Sequence, residues 1–508
     1  MQAHATKQAV TAKAFQSPEQ ALIALIIVQI AFWTLAPALS HSAPPLDVVE
    51  MYAWGREGVV ATFKHPNLPG LVLEATRRLT GIAGWPAYLV SQAFICATFA
   101  LVFLLGRELM DARRALGGTL LLTGVYFFSW PGPEFNHNVA QMPLWALIAW
   151  TLWRGTTRGD LWAWALLGLA GGFGLWAKYS SGVLLLLAAA WILWDPRARK
   201  SLLTLGPYLA LLLFGVSAAP QALWLFAHDF QPFAYAARRS ANEAHWYGGL
   251  EFLATQALHH LPMLIVMWCA GLFGRKTEDG QERPGQREMR FLLLIGVGPV
   301  LLTALGATLA GAGLKSAWAA PMLNLSGLLA VALLSSRLND ARLGRVIWGA
   351  GVLIVLVSTL YFAHMRFGAA LTDKPLKGNW PQAEMSAGLE QIWAENTGGA
   401  PLKIVAGDIW TAGLVGMSDA QPPSVLINGD LSISPWISAE ELARDGALIV
   451  WPDGAEPPEA LNLDTSDNAP SMSSLTVPFA RFPDAPPLVI HYQIIPPSAS
   501  EDVSLSGD

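Results

Sequence analysis

Apolar stretches that contain almost no Asp, Glu, Lys or Arg recur along the first three quarters of this 508-residue chain. Each is close to the length needed to cross about 30 Å of hydrocarbon, where only a helix satisfies its own backbone. About eleven can be drawn, near residues 20–39, 85–106, 115–131, 138–153, 161–177, 180–195, 202–227, 256–274, 291–312, 316–336 and 346–363. The first is followed by "PALSHSA", as a cleaved leader would be. Its apolar core, from Ala21 to Leu39, is longer than the roughly 7–15 residues of such a leader, so it reads as an uncleaved span. Composition agrees: 53% of residues are hydrophobic and 14% charged, against about a quarter charged in soluble domains. A disordered chain and a nucleic-acid binder are excluded, and an ordinary soluble enzyme is disfavoured. Cys96 and Cys269 both lie within apolar runs, which argues against a disulfide framework or a zinc site.

Basic residues concentrate on alternate loops, for example Arg107, Arg113 and Arg114; Arg197, Arg199 and Lys200; and Arg337, Arg342 and Arg345. The positive-inside rule then puts the N-terminus in the cytoplasm and the C-terminal segment outside the cell membrane, in a multi-pass protein. The domains expected are a helical membrane domain over 1–365, an extracytoplasmic α/β domain over 366–490, and a disordered tail over 491–508. In the second, "LKIVAG" and "ALIVWP" read as buried strands. "AEMSAGLEQIWAE" and "SAEELARD" read as helices, the latter opened by Ser438 with Glu441 three residues on. The fold class is therefore an α-helical polytopic membrane protein with a small C-terminal α/β outer domain.

Charge is costly in lipid, and here the ionisable residues gather at span ends. An ion-coupled transporter is expected to keep such groups near the midplane, so chemistry at the membrane surface is favoured over transport. In the first outer loop Asp47 and Glu50 are three apart and share a helical face, which suits a general base and a group that orients it. Acids also favour a helix N-terminus for purely structural reasons. Lys64 and His65 both donate hydrogen bonds and suit a phosphate; a snorkelling Lys on a surface turn reads the same. Residues 68–80 form an amphipathic helix. The second loop offers Glu134, Asn136 and His137, which suit sugar hydroxyls better than a metal, because two ligands fall short of the usual three or four. Lys178, with Tyr179, and Lys315 are cations on loops where the positive-inside bias predicts few; each is a topological anchor or a phosphate contact.

These same segments resemble the GT-C glycosyltransferases, within them the bacterial family-39 group that is related to protein mannosyltransferases and aminoarabinose transferases. "PPLDVVEMYAWGREGVVATFKHPNLPG" is similar to their first outer loop: an acidic pair (Asp47, Glu50), an aromatic (Tyr52) and a His-Pro (His65–Pro66). Asn67 stands where a second Pro is usual, and "GVVATF" replaces a glycine-aromatic segment. "PEFNHNVAQMPLW", "GLWAKYSSGVLLL" and "LKSAWAAPMLNLSG" resemble three later blocks, in order.

The resemblance implies inverting transfer of a sugar from a polyprenyl-phosphate carrier to a lipid A, glycan, lipid or protein acceptor at the outer face. Asp47 is then the general base and Glu50 its helper. Tyr52, Lys64, His65, Glu134, Asn136, His137, Lys178, Tyr179 and Lys315 bind substrate. No cofactor is required and no metal is assigned, although a divalent ion near Asp47, Glu134 and His137 is chemically compatible. Nucleic acid is not a partner; membrane lipids are. The competing reading is a polytopic lipid or sugar transporter or flippase without catalytic activity.

Overall fold

The computed structural model describes residues 17–241, 245–276, 283–372, 374–458 and 473–498. The chain forms two compact units. One comprises residues up to Pro37, Val60–Pro69 and Tyr88–Tyr361; the other comprises Ala38–Val59, Gly70–Ala87 and the residues from Phe362 onward.

The first unit is helical. Among the described residues, five helices are long and apolar enough to cross a membrane: Pro18–Ser40, Pro86–Leu109, Gly206–Ala227, Gly248–Ala270 and Asp340–Phe367. Three more candidates are bent pairs, so the number reaches eight if each pair is one span. The bends fall where the backbone cannot continue. Between Ser181–Trp194 and the segment from Pro196 the axis turns by 82°. Asp195 caps the new helix by accepting the Ala198 amide at 2.8 Å, and Pro196 occupies its first turn, where a missing N–H costs nothing. Gly298–Pro299 follows the 40° bend before Ala310, and Pro321 lies in the 3-10 stretch Ser316–Leu323 that precedes a 55° bend.

The uninterrupted runs expected at 291–312 and 316–336 are thus bent. The run at 115–131 is no single helix: Ala112–Leu121 gives way to two short 3-10 turns. The run at 161–177 is the helix Leu161–Ala177. The chain is a multi-pass membrane protein, mostly helical, with a small C-terminal sheet domain.

In the second unit the sheet has the order β2-β1-β3-β5-β4, where β1 is Ile404–Gly407, β2 Ser424–Ile427, β3 Ala447–Pro452, β4 Ser473–Val477 and β5 Leu488–Ile495. β1 pairs in parallel with β2 and β3; β5 pairs antiparallel with β3 and β4. Ile404, Ala406, Leu426, Ala447, Ile449 and Trp451 form its core with Ile437. The Ser438–Glu441 capping box opens the helix Ala439–Asp445, as its spacing predicts. Residues 491–495, assigned from sequence to a disordered tail, instead continue β5, because that strand has a partner on each side. Residues 499–508 of that tail lie outside the described residues.

The helices of the first loop, Leu46–Arg56 and Leu68–Thr80, pack in this second unit. They cross at Gly55 and Gly70: a Cβ on Gly55 would collide with the Gly70 carbonyl, so only glycine permits the approach.

Candidate active site

In the first unit, residues 60–67 form a tight turn. Ala61 and Pro66 make an antiparallel bridge, and the Thr62 amide donates to the His65 carbonyl at 2.9 Å. The Thr62 hydroxyl accepts the amides of Lys64 and His65, each at 3.3 Å. The Asn67 amide donates to the Val60 carbonyl at 3.1 Å. A proline at 67 has no such donor, so the departure from the family pattern closes this turn with a bond that the usual residue cannot make.

The turn presents Lys64 and His65 to the start of the helix His137–Arg158. The imidazoles of His65 and His137 lie 4.4 Å apart, centre to centre. His137 Nε2 meets the Pro66 carbonyl at 3.0 Å, which requires it to carry the proton and donate. Asn136 caps this helix, its side-chain oxygen accepting the amides of Asn138 and Val139 at 2.9 and 3.1 Å. That oxygen is therefore engaged in fixing where the helix begins.

Lys178 follows the helix Leu161–Ala177 and is 8% exposed. Its ammonium donates to Asn138 Oδ1 at 2.8 Å and lies 5.4 Å from the Trp318 ring centre. A buried cation needs such partners, and the arrangement holds Nζ in place. Tyr179 donates its hydroxyl proton to Gln221 Oε1 at 3.0 Å, and Gln221 Nε2 donates to the Val60 carbonyl at 2.9 Å. One amide thus ties the third loop to the 60–67 turn.

Lys64, His65, His137 and Lys178 form one electrostatic cluster. Burial holds the His65 imidazole well below its ordinary value of 6.5, and His137, Lys178 and Lys64 push it the same way. The folded chain therefore keeps His65 neutral where the unfolded chain takes up a proton. Stability is complete above 6.5 and falls as the pH drops below it. His65→Asn is expected to show a shallower loss of Tm between about pH 7.5 and about pH 5.5 than the parent, measured by thermal unfolding in detergent. An equal slope in both proteins refutes this.

The remaining candidates in this unit are Glu134 and Lys315. Glu134, half-buried, acts electrostatically on the phenols of Tyr126 and Tyr361. Lys315 precedes the 3-10 stretch whose Trp318 faces Lys178. Among the described residues no group of three or more His, Cys, Asp or Glu is placed to hold a metal ion.

In the second unit, Asp47 sits in the first turn of Leu46–Arg56, half-buried, and Glu50 is 4% exposed. Tyr52 is buried, and burial pushes its phenol up to about 12. It is a packing residue of this helix as well as a family match.

Gln221 and Trp318 make contacts with these candidates that spacing did not assign. Gln221 had a signal: a lone amide within an apolar helix.

Residues 64–224 match a family model described as dolichyl-phosphate-mannose-protein mannosyltransferase. No curated protein matches the sequence. Among solved structures, ArnT from Cupriavidus metallidurans bound to undecaprenyl phosphate shares the fold, with a TM-score of 0.63 at 12% identity over 92% of this chain and 97% of that one. The oligosaccharyltransferase of Archaeoglobus fulgidus in complex with zinc and sulfate is more distant, with a TM-score of 0.45 at 12% identity over 78% of this chain and 61% of that one. The chain thus carries a segment similar to the mannosyltransferase family over residues 64–224 and shares the fold of ArnT along most of its length.

Proposed function

We propose that the protein transfers a sugar from a polyprenyl-phosphate carrier to an acceptor at the outer face of a bacterial plasma membrane. The observation that carries this reading is the cationic cluster around the 60–67 turn, with Lys178 seated on Asn138 and Trp318. A phosphate that leaves a sugar gains charge, and fixed cations in a dry site stabilise that charge. ArnT, which shares the fold, was solved with undecaprenyl phosphate, a ligand of this chemistry.

In this scheme Asp47 takes the acceptor proton as the acceptor oxygen bonds to the anomeric carbon. The bond from that carbon to the carrier phosphate breaks, and the carrier departs as its phosphate. Attack opposite the leaving group inverts the anomeric centre. Glu50 orients the base, Lys64 and Lys178 face the phosphate, and neutral His65 and His137 shape the turn that presents Lys64. Tyr179, Asn136, Glu134, Tyr52 and Lys315 line or support the substrate sites. No step is routed through a metal. The acceptor is lipid A, a glycan, a lipid or a protein.

The test is to incubate purified protein with labelled polyprenyl-phosphate sugars and a panel of these acceptors. Label transfer with stoichiometric release of polyprenyl phosphate supports the reading. Movement of intact carrier across vesicles without transfer overturns it in favour of a flippase.

A further inference from the structure

We infer that the C-terminal sheet domain is the seat that positions the Asp47 helix, with Trp410 and Gly413 as its positioning residues; this rests on the transfer reading above. The contacts run the length of the helix. Just before it, the Trp410 indole N–H donates to the Pro44 carbonyl at 3.2 Å, and the amides of Ser42 and Ala43 donate to the Gly378 carbonyl at 2.7 and 3.2 Å. Arg481 donates to the Ser40 carbonyl at 2.7 Å. At mid-helix, Gly413 of the helix Ile409–Leu414 lies against Val49, and a Cβ there would sit 2.6 Å from Val49 Cγ1. Val49 is β-branched and its rotamer is fixed in a helix, so it cannot swing away. At the far end, the Arg56 guanidinium donates to the Pro423 carbonyl.

Trp410 is itself held. Asp408 caps its helix, Trp380 meets it edge-on at 4.5 Å between centres, and the Lys377 ammonium lies 4.7 Å over its ring. The Pro44 contact falls three residues before Asp47, so a displacement at Trp410 or Gly413 is transmitted to the first turn, where the carboxylate stands. A misplacement of about 1 Å can cost about 100-fold in rate. The domain therefore acts on the chemistry through geometry, whether or not it also touches the acceptor.

The experiment uses the full-length protein with Gly413→Ala, Trp410→Phe and the double variant Val49→Ala/Gly413→Ala. It reads kcat and KM for transfer, affinity for undecaprenyl phosphate alone, and amide hydrogen exchange of residues 46–56. For Gly413→Ala the expected results are a kcat about 100-fold lower, carrier affinity within about twofold of the parent, and faster exchange in 46–56. The double variant, which removes the obstructing methyl, is expected to recover most of the rate. Trp410→Phe keeps an aromatic ring, loses the N–H, and is expected to lie between. A folded Gly413→Ala protein with parental kcat and parental exchange overturns the seat, as does a double variant no better than the single. If the parent transfers no sugar, the transfer reading falls, while the exchange arm still decides whether the domain holds the helix.

Discussion

Asp47→Asn is expected to lower the rate constant of sugar transfer by about 1,000-fold, within the roughly 10²–10⁴-fold contributed by a positioned general base. The acceptor hydroxyl holds its proton far above neutral pH, so attack requires a group that removes it as the bond forms. Asparagine has the shape of aspartate and cannot take that proton. The carboxylate stands in the first turn of Leu46–Arg56 and is half-exposed, as a group that must meet a substrate should be. Glu50, one turn along, is 4% exposed, so Glu50→Gln is expected to cost less in chemistry. Single-turnover transfer from a labelled donor, with undecaprenyl-phosphate affinity measured in parallel, separates rate from binding. A variant that transfers at the parental rate removes Asp47 from the base role.

Lys178→Met is expected to lower kcat by about 10²–10³-fold, the size of effect seen when one preorganised charge-stabilising donor is removed. Methionine keeps much of the aliphatic stem and deletes the ammonium that bonds Asn138 and faces Trp318. Lys178→Arg is expected to recover little, because a planar fork does not fit a seat shaped for a point donor. Asn138→Ala, which leaves the cation but removes its tether, should lie between parent and Lys178→Met. Steady-state kinetics with a donor of fixed chain length checks the series. Equal kcat in parent and Lys178→Met refutes a role for this residue at the departing phosphate.

How far these residues could be read in advance depended on the range of the interaction involved. The helix Leu161–Ala177 was legible because its apolar run is bounded by Asp160 and Lys178. The Ser438–Glu441 box was legible because capping acts over three residues. Hydropathy averages over a window and is blind to direction, so the 82° turn at Asp195–Pro196 and the 3-10 turns after Leu121 were not visible. The same divide runs through the site. Lys178 stood out as a cation where charge bias predicts few, but its partner Asn138 lies 40 positions away and Trp318 much farther. Likewise, nothing near Asp47 in the chain announces Trp410 or Gly413, because those contacts close only when distant segments fold together. Local rules set the elements, and long-range packing chose which polar groups meet.

The meeting of residues 38–59 with those after 362 also imposes an order on biosynthesis. The ribosome delivers the helix bearing Asp47 before the span Asp340–Phe367, and its partners Trp410 and Gly413 emerge only after that span. Until then the helix has only its crossing with Leu68–Thr80 to rest on, and one shorter than about 12–15 residues is marginal by itself in water. A chain halted after Asp340–Phe367 therefore lacks the seat proposed above for that helix. Translation order thus leaves the Asp47 helix waiting for the residues that hold it.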